Sequence, residues 1–133
     1  VIDSRRREKI ETTTQLREII EKALQFLPAK ERKDEIKKCC ARTFQALRID
    51  VNSEFEVLYD FLEKLPDALN PGGRVAILTF HSGEDRLVKK SFKALKKAGI
   101  YSDVANEVIR PSREECNMNP RAKSTKMRWA VKL

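Results

Sequence analysis

Glycine is scarce in this sequence, which has four glycines in 133 residues. No GxGxxG-like run occurs, so the loop that usually brings backbone close to a dinucleotide or related cofactor is missing from these residues. The three cysteines include an adjacent pair, Cys39 and Cys40, and no CxxC spacing, so neither a disulfide framework nor a zinc site is suggested. We therefore expect a reducing, intracellular compartment.

Long apolar runs are also missing. None approaches the roughly 20 residues that a membrane-spanning helix needs, and the start does not resemble a signal peptide. We expect no membrane association. The first residue is Val1, which suggests a fragment or a processed form. With 41% hydrophobic and 36% charged residues, the composition indicates one globular domain with a modest core.

Positive charge is present in excess, with a formal net charge of +8. Residues 1–48 hold 13 basic against 8 acidic side chains, residues 49–88 hold 3 against 8, and residues 89–133 hold 12 against 4. Two basic blocks thus flank an acidic middle. Nucleic acid is the first partner that such blocks suggest, and solvated lysine-rich helix faces are the alternative.

The segment from residue 74 to residue 98 organises the rest of the chain. Residues 75–80 carry no charge and are rich in β-branched and aromatic types, which is typical of a strand buried on both faces in a parallel sheet. Residues 82–98 follow with apolar residues at helical spacing, and Gly99 is placed to end that helix. This pattern predicts an α/β fold, in which ligands bind beyond the carboxyl ends of the strands.

Five further elements, three helices and two strands, are predicted around that segment. Thr12 and Gln15 are spaced as a capping box for an amphipathic helix that ends at Pro28. A second helix is expected to bury Ile36, Cys40, Phe44 and Leu47. A third helix follows a cap at Asn52 or Ser53. Strands are expected within residues 101–109, most strongly at 105–109, and at 127–133 with Trp129 half-buried.

Five sequence phrases, in this order, resemble one family. They are TFQALRI at 43–49, VNSE at 51–54, PGGR at 71–74, FHS and EDR within 80–86, and NPRA with KMR within 119–128. The chain is similar over nearly its whole length to the RsmH (MraW) family of S-adenosylmethionine-dependent small-subunit rRNA (cytosine-N4)-methyltransferases. Gly83 stands where that family usually has leucine, and Cys39-Cys40 stands where it commonly has His-Pro.

The resemblance implies a particular fold and cofactor. Residues 1–45 would be part of a helical insertion subdomain, and residues 46–133 the C-terminal half of a Rossmann-like methyltransferase domain. The S-adenosylmethionine site is expected mainly upstream, so no cofactor-binding residue is assigned in this chain and this chain alone is expected to be inactive. The location would be the cytoplasm in a bacterium, or a chloroplast or mitochondrion in a eukaryote.

The same resemblance implies which residues serve the reaction. His81, Ser82, Glu84, Asp85 and Arg86 would lie at the carboxyl edge of the organising strand. His81 would line the pocket for the target cytosine, or else be a structural histidine bonded nearby. Ser82 is the expected N-cap of the lysine-rich helix, and Glu84 and Asp85 are first-turn acids or hold Arg86.

Contacts to small-subunit rRNA are expected from a second set of residues, which are Arg42, Arg48, Asn52, Arg121, Lys123 and Arg128. Phosphate contacts of this kind position RNA and do not read its sequence; ordinary solvated cations, and a helix cap at Asn52, are the alternatives. A rival hypothesis is a cofactor-free RNA-binding or ribosome-assembly module. Half a sheet exposes an edge, so self-association or element swapping between copies is expected as well.

Overall fold

The computed structural model describes all 133 residues, Val1–Leu133. The chain divides into two compact units, Val1–Ser53 and Glu54–Leu133, called here the helical unit and the sheet unit. The elements in order are helices α1 (Ile2–Arg7), α2 (Thr13–Ala23), α3 (Ala29–Val51) and α4 (Glu54–Ala68), strand β1 (Arg74–Thr79), helix α5 (Ser82–Lys97), strand β2 (Tyr101–Val104), helix α6 (Arg113–Met118), a 3-10 helix (Pro120–Ser124) and strand β3 (Lys126–Lys132).

Helix α2 of the helical unit begins with the predicted capping box. The Thr12 side chain accepts a hydrogen bond from the Gln15 amide, and the Gln15 side chain accepts one from the Thr12 amide. The helix ends at Ala23, before Pro28 is reached. The carbonyl oxygens of Gln25 and Leu27 then accept hydrogen bonds from the Arg32 guanidinium. Backbone acceptors just past the helix end are thus satisfied by a side chain from α3.

Helix α3 is present, but the prediction that it buries an apolar stripe is wrong. None of its residues is buried, and Leu47 is 42% exposed. Ile36, Cys40 and Phe44 are half-buried. The apolar spacing correctly predicts a helix, but the helical unit has too few elements to cover the apolar stripe of α3.

The sheet unit has a three-stranded sheet in the order β1-β3-β2. Strand β3 pairs antiparallel with both neighbours, with Ile77 opposite Arg128 and Val104 opposite Ala130. Strands β1 and β2 therefore run parallel to each other, joined by α5, with β3 inserted between them. The mixed α/β fold class is confirmed, and the arrangement is consistent with part of a methyltransferase fold.

The core of the sheet unit lies on one face of this sheet. It consists of Leu62 and Leu65 from α4, Val88 and Phe92 from α5, and Tyr101, Val104 and Ala130 from the strands. Helix α5 ends as predicted at Gly99, whose φ of +74° is left-handed. The amides of Gly99 and Ile100 donate to the carbonyls of Lys96 and Leu95, which is a Schellman motif.

The prediction that β1 is buried on both faces in a parallel sheet is wrong for this chain. Strand β1 is an edge strand, antiparallel to its one neighbour. Val75, Ile77 and Thr79 face the core side, while Leu78 and the following Phe80 are each 59% exposed. An unbroken apolar run predicts the strand, but only the surrounding elements decide whether both faces are covered.

Two smaller expectations change in the strands. Strand β2 occupies Tyr101–Val104. Within residues 105–109, the Ala105 amide donates to the Trp129 carbonyl and Ile109 forms an isolated bridge with Met127. Tyr101 and Val104 are buried in the core. The strand therefore begins at residue 101 and ends earlier in the chain than predicted. The last strand is confirmed as β3, with Trp129 half-buried.

No helix in this chain combines the length and the apolar character required to cross a membrane.

Candidate functional site

The turn after β1 brings His81, Glu84, Asp85 and Arg86 together at the start of α5, beyond the carboxyl end of the strand. His81 is the N-cap of this helix, because its Nδ1 accepts hydrogen bonds from the amides of Gly83 at 3.2 Å and Glu84 at 3.4 Å. The prediction that Ser82 is the cap is therefore wrong. Ser82 is the first helical residue and is exposed.

Glu84 completes a capping box with His81. Its Oε2 accepts hydrogen bonds from the amides of Phe80 at 3.0 Å and His81 at 3.4 Å. Each side chain thus bonds the other's backbone, which fixes the turn between β1 and α5. The role that the structure assigns to His81 is holding this turn.

The same bonds decide whether the turn can bind a metal. Glu54, His81 and Glu84 each place one potential ligand atom within 4.8 Å of the others. Because Nδ1 of His81 accepts amide protons, the neutral ring carries its own proton on Nε2. That nitrogen is buried, makes no hydrogen bond and lies 3.4 Å from Oε1 of Glu84. A protonated Nε2 has no lone pair for a metal ion, so the cluster is not a metal centre in this arrangement.

Asp85 is held by Arg128 of β3, 43 residues later. The Nε of Arg128 donates to Oδ1 at 2.7 Å, and a terminal nitrogen donates to Oδ2 at 3.2 Å. The two side chains are only 15% and 7% exposed. The Arg128 guanidinium lowers the pKa of Asp85, against the opposing effect of burial. This bidentate pair ties the first turn of α5 to the centre of the sheet.

Arg86 and Arg128 both differ from what the sequence suggested. Glu84 and Asp85 were expected either to be first-turn helix acids or to hold Arg86; they lie in the first turn, and Arg86 is exposed and lines a cavity. Arg128 was expected among the RNA-contacting cations, but it is buried in an internal ion pair. No local pattern indicates the Asp85–Arg128 pair, because it joins residues 43 positions apart in the chain.

The cavity beside Arg86 has a volume of about 490 Å³ and lies between α4 and the first turns of α5. Its walls are Phe55, Glu56, Tyr59, Asp60, Gly83, Arg86 and Leu87. The Phe55 ring packs edge-on against His81, with ring centroids 5.8 Å apart.

Gly83 gives this cavity its shape. A Cβ atom at this position would lie 2.8 Å from Cζ of Phe55 and 3.1 Å from Nδ1 of His81. A side chain here would therefore displace the Phe55 ring from its place against His81. Because residue 83 is glycine, the Phe55 ring can lie this close to the turn.

The other residues predicted to contact RNA fall into two groups. Arg42 and Arg48 are exposed on α3, and Asn52 is the C-cap of that helix, all in the helical unit. Arg121 and Lys123 are exposed on the 3-10 helix of the sheet unit, where the Asn119 side chain accepts a hydrogen bond from the Arg121 amide. Their positions are compatible with RNA contact.

A profile of the MraW methylase family matches residues 1–133. The chain belongs to the MraW methylase family. It is 69% identical over 132 residues to the ribosomal RNA small subunit methyltransferase H 1 of Lachnoclostridium phytofermentans. Identity is 70% over 128 residues to the protein of the same name in Agathobacter rectalis, and 56% over 123 residues to methyltransferase H 2 of Acholeplasma laidlawii.

These alignments cover 99%, 96% and 92% of this chain but only 36%, 37% and 36% of the relatives. The chain thus spans little more than a third of the curated MraW-family relatives it matches. The capping box at His81, the Asp85–Arg128 pair and the cavity at Gly83 all lie within this shared third.

Proposed function

We propose that this chain supplies part of a small-subunit rRNA methyltransferase that transfers a methyl group from S-adenosylmethionine to N4 of a cytosine. The observation that carries the proposal is the family match over all 133 residues. On this proposal residues 1–45 belong to a helical insertion subdomain and residues 46–133 to the C-terminal half of the methyltransferase domain. The partner is small-subunit rRNA.

The residues present do not fit the methyl donor's site. Gly72 and Gly73 lie in the turn before β1, Gly99 ends α5, and Gly83 lies inside α5. None of them belongs to a glycine-rich loop of the kind that approaches such a cofactor. We therefore assign no donor-binding residue here and propose that this site lies in the part of the relatives that this chain does not cover.

The contribution of this chain is to build and hold the region around the substrate. The target amine must be held in line with the methyl donor, because its lone pair is delocalised into the ring. His81 and Glu84 fix the turn, the Asp85–Arg128 pair fixes α5 against β3, and Arg86 faces the adjoining cavity. We propose that this turn lines the pocket for a base that has left its stack.

The exposed edge and apolar side chains of the sheet unit support the proposal that this chain is part of a larger fold. Strand β1 has a free outer edge, and Leu78 and Phe80 are exposed on the side away from the core. Exposed edges and apolar faces of this kind are normally covered in a native protein. In the isolated chain we expect them to promote self-association.

The test is a chimera in which residues 1–133 replace the matching segment of the Lachnoclostridium phytofermentans relative. Methyl transfer from labelled S-adenosylmethionine to small-subunit RNA is measured, and nucleosides are identified by mass spectrometry. We expect the chimera to form N4-methylcytidine and the 133-residue chain alone to form none. A chimera that binds RNA but transfers no methyl group, while the parent relative does, would favour a cofactor-free RNA-binding module.

A further inference from the structure

Helix α5 gathers six cations on its outer side. The cations, all of them exposed, are Arg86, Lys89, Lys90, Lys93, Lys96 and Lys97. At about 100° per residue they lie within an arc of roughly 120°, opposite the side on which Val88 and Phe92 enter the core. Ser82 is the one other residue of the helix in this arc. We call this surface the basic face of α5.

The basic face has little counter-charge within the chain. Lys96 pairs with Asp103 at 2.8 Å, and the other five cations form no ion pair or hydrogen bond. The two acids of α5, Glu84 and Asp85, are used in the capping box and in the pair with Arg128. No acidic residue follows them in the helix.

This concentration of one charge disfavours the free helix. Residues three and four positions apart are neighbours on a helix, and like charges at those spacings are destabilising. Lys93 has four such neighbours, which are Lys89, Lys90, Lys96 and Lys97. Helix α3, by contrast, interleaves seven cations with four acids and forms the Lys38–Glu35 pair. A bound polyanion would relieve the repulsion on α5, whereas the cations of α3 already have acidic neighbours.

We propose that the basic face of α5 binds the phosphate backbone of paired RNA. The cations from Arg86 to Lys97 span about 16 Å of helix, so one rigid element can contact several phosphates. Proteins that hold single strands add aromatic rings on which the bases stack. The basic face has no aromatic residue, because the one ring of α5, Phe92, is buried. In a duplex the bases are stacked inside, and recognition relies on the backbone and its shape.

A membrane surface fits this face less well than RNA does. A helix that lies on a membrane inserts its apolar side between the lipids, but the apolar side of α5 is buried in the core of the sheet unit. Among polyanions, RNA is the one that the proposed function supplies. The inference therefore rests on the proposed function, and it adds a binding surface and the paired form of the RNA.

Helix α4 limits where the backbone can lie. Its exposed acids are Glu56, Asp60, Glu63 and Asp67, and their spacings of four, three and four residues put them on one side of the helix. These carboxylates repel phosphates. The backbone is thus confined to the basic face, which begins at Arg86, two residues after the capping-box residue Glu84.

The experiment measures binding of the full 133-residue chain to a labelled RNA duplex of about 16 base pairs, the length that a duplex-binding RNA domain spans. Fluorescence anisotropy is recorded at several salt concentrations, and the single strand of the same sequence is the comparison. We expect tighter binding to the duplex than to the single strand. The double variant Lys90→Gln with Lys93→Gln should reduce the slope of log affinity against log salt by about 2, one for each lost phosphate contact.

The matched control is the double variant Lys30→Gln with Lys33→Gln on α3. It removes the same charge from two exposed lysines at the same spacing. Glu31 and Asp34 lie among these lysines, so we expect the slope for the duplex to stay unchanged. Thermal melts followed by circular dichroism should show the α5 variant no less stable than the unsubstituted chain, because the substitutions relieve repulsion. This separates a loss of binding from a loss of fold.

Three results would overturn the proposal. Equal slopes in the two double variants would show that the basic face does not contact the backbone. Tighter binding to the single strand would show that paired RNA is not the ligand. Displacement of the duplex by polyglutamate at an equal concentration of charge would show that the face binds any polyanion, an acidic protein segment included.

The proposed function and this inference fail separately. An active chimera, together with equal slopes in the two double variants, would refute the role of α5 and leave the methyltransferase proposal standing. A chimera without activity, together with duplex binding that depends on Lys90 and Lys93, would do the reverse.

Discussion

The helical unit and the sheet unit bury apolar residues to very different degrees. Leu16 and Ile20 are the only buried hydrophobic residues of the helical unit, whereas the sheet unit has a connected core of seven. Phe26 and Val51 of the helical unit are each 80% exposed. Both units have helices with apolar stripes of correct period, so the period alone does not produce a core. A stripe is buried only where a sheet or a second layer of helices covers it.

The largest effect is expected from removing a core ring of the sheet unit. Phe92 is 2% exposed and packs edge-on against Tyr101, with centroids 5.6 Å apart. Phe92→Ala should lower the free energy of unfolding of this unit by about 3–5 kcal/mol through lost burial and a cavity. Urea unfolding followed by Trp129 fluorescence reports on the sheet unit alone, because it holds the chain's single tryptophan.

The matched control is Phe26→Ala in the helical unit. It removes the same ring from an exposed position, so the unfolding measured at Trp129 should stay within about 0.5 kcal/mol of the unsubstituted chain. Similar losses in both variants would mean that the two units do not differ in packing as described.

A nearly equal loss is expected when the Asp85–Arg128 pair is broken on one side. Arg128→Met leaves the Asp85 carboxylate buried without its partner, which should cost about 3–5 kcal/mol. The double change of Asp85→Leu with Arg128→Met removes both charges and should recover much of that loss. The same unfolding measurement checks both variants, and a double variant as unstable as the single one would contradict this account.

Features that depend on neighbouring residues can be predicted from the sequence, whereas contacts between segments far apart in the chain cannot. The Thr12–Gln15 capping box, the strand at residues 74–79 and the glycine that ends α5 depend on neighbours within a few residues, and the sequence indicates them. The Asp85–Arg128 pair and the shaping of Phe55 by Gly83 join distant segments, so no local pattern indicates them. The family resemblance depends on several short phrases in order, which is why it could be recognised without either contact.

The pH dependence of stability separates Asp85 from the exposed acids. Arg128 holds the pKa of Asp85 below its ordinary value, which is about 3.9 for an unperturbed aspartate. The stabilisation is therefore complete above that ordinary value and is lost as the pH falls through the lower folded-state pKa. Urea unfolding at several pH values should show a smaller acid-induced loss in Asp85→Asn than in the unsubstituted chain. Asp60→Asn, at an exposed position without an ion pair, should leave that loss unchanged.

The smallest effect is expected at the capping box of the helical unit. Thr12→Ala removes the oxygen that accepts from the Gln15 amide and should destabilise α2 by about 1 kcal/mol. Because the helical unit has little core to compensate, amide exchange in α2 should accelerate roughly fivefold, the factor that about 1 kcal/mol represents. Thr14→Ala, at an exposed helical position of the same segment, keeps the box and should not accelerate exchange. If both variants exchange alike, the cap is not what holds α2, and packing by Leu16 and Ile20 must be sufficient on its own.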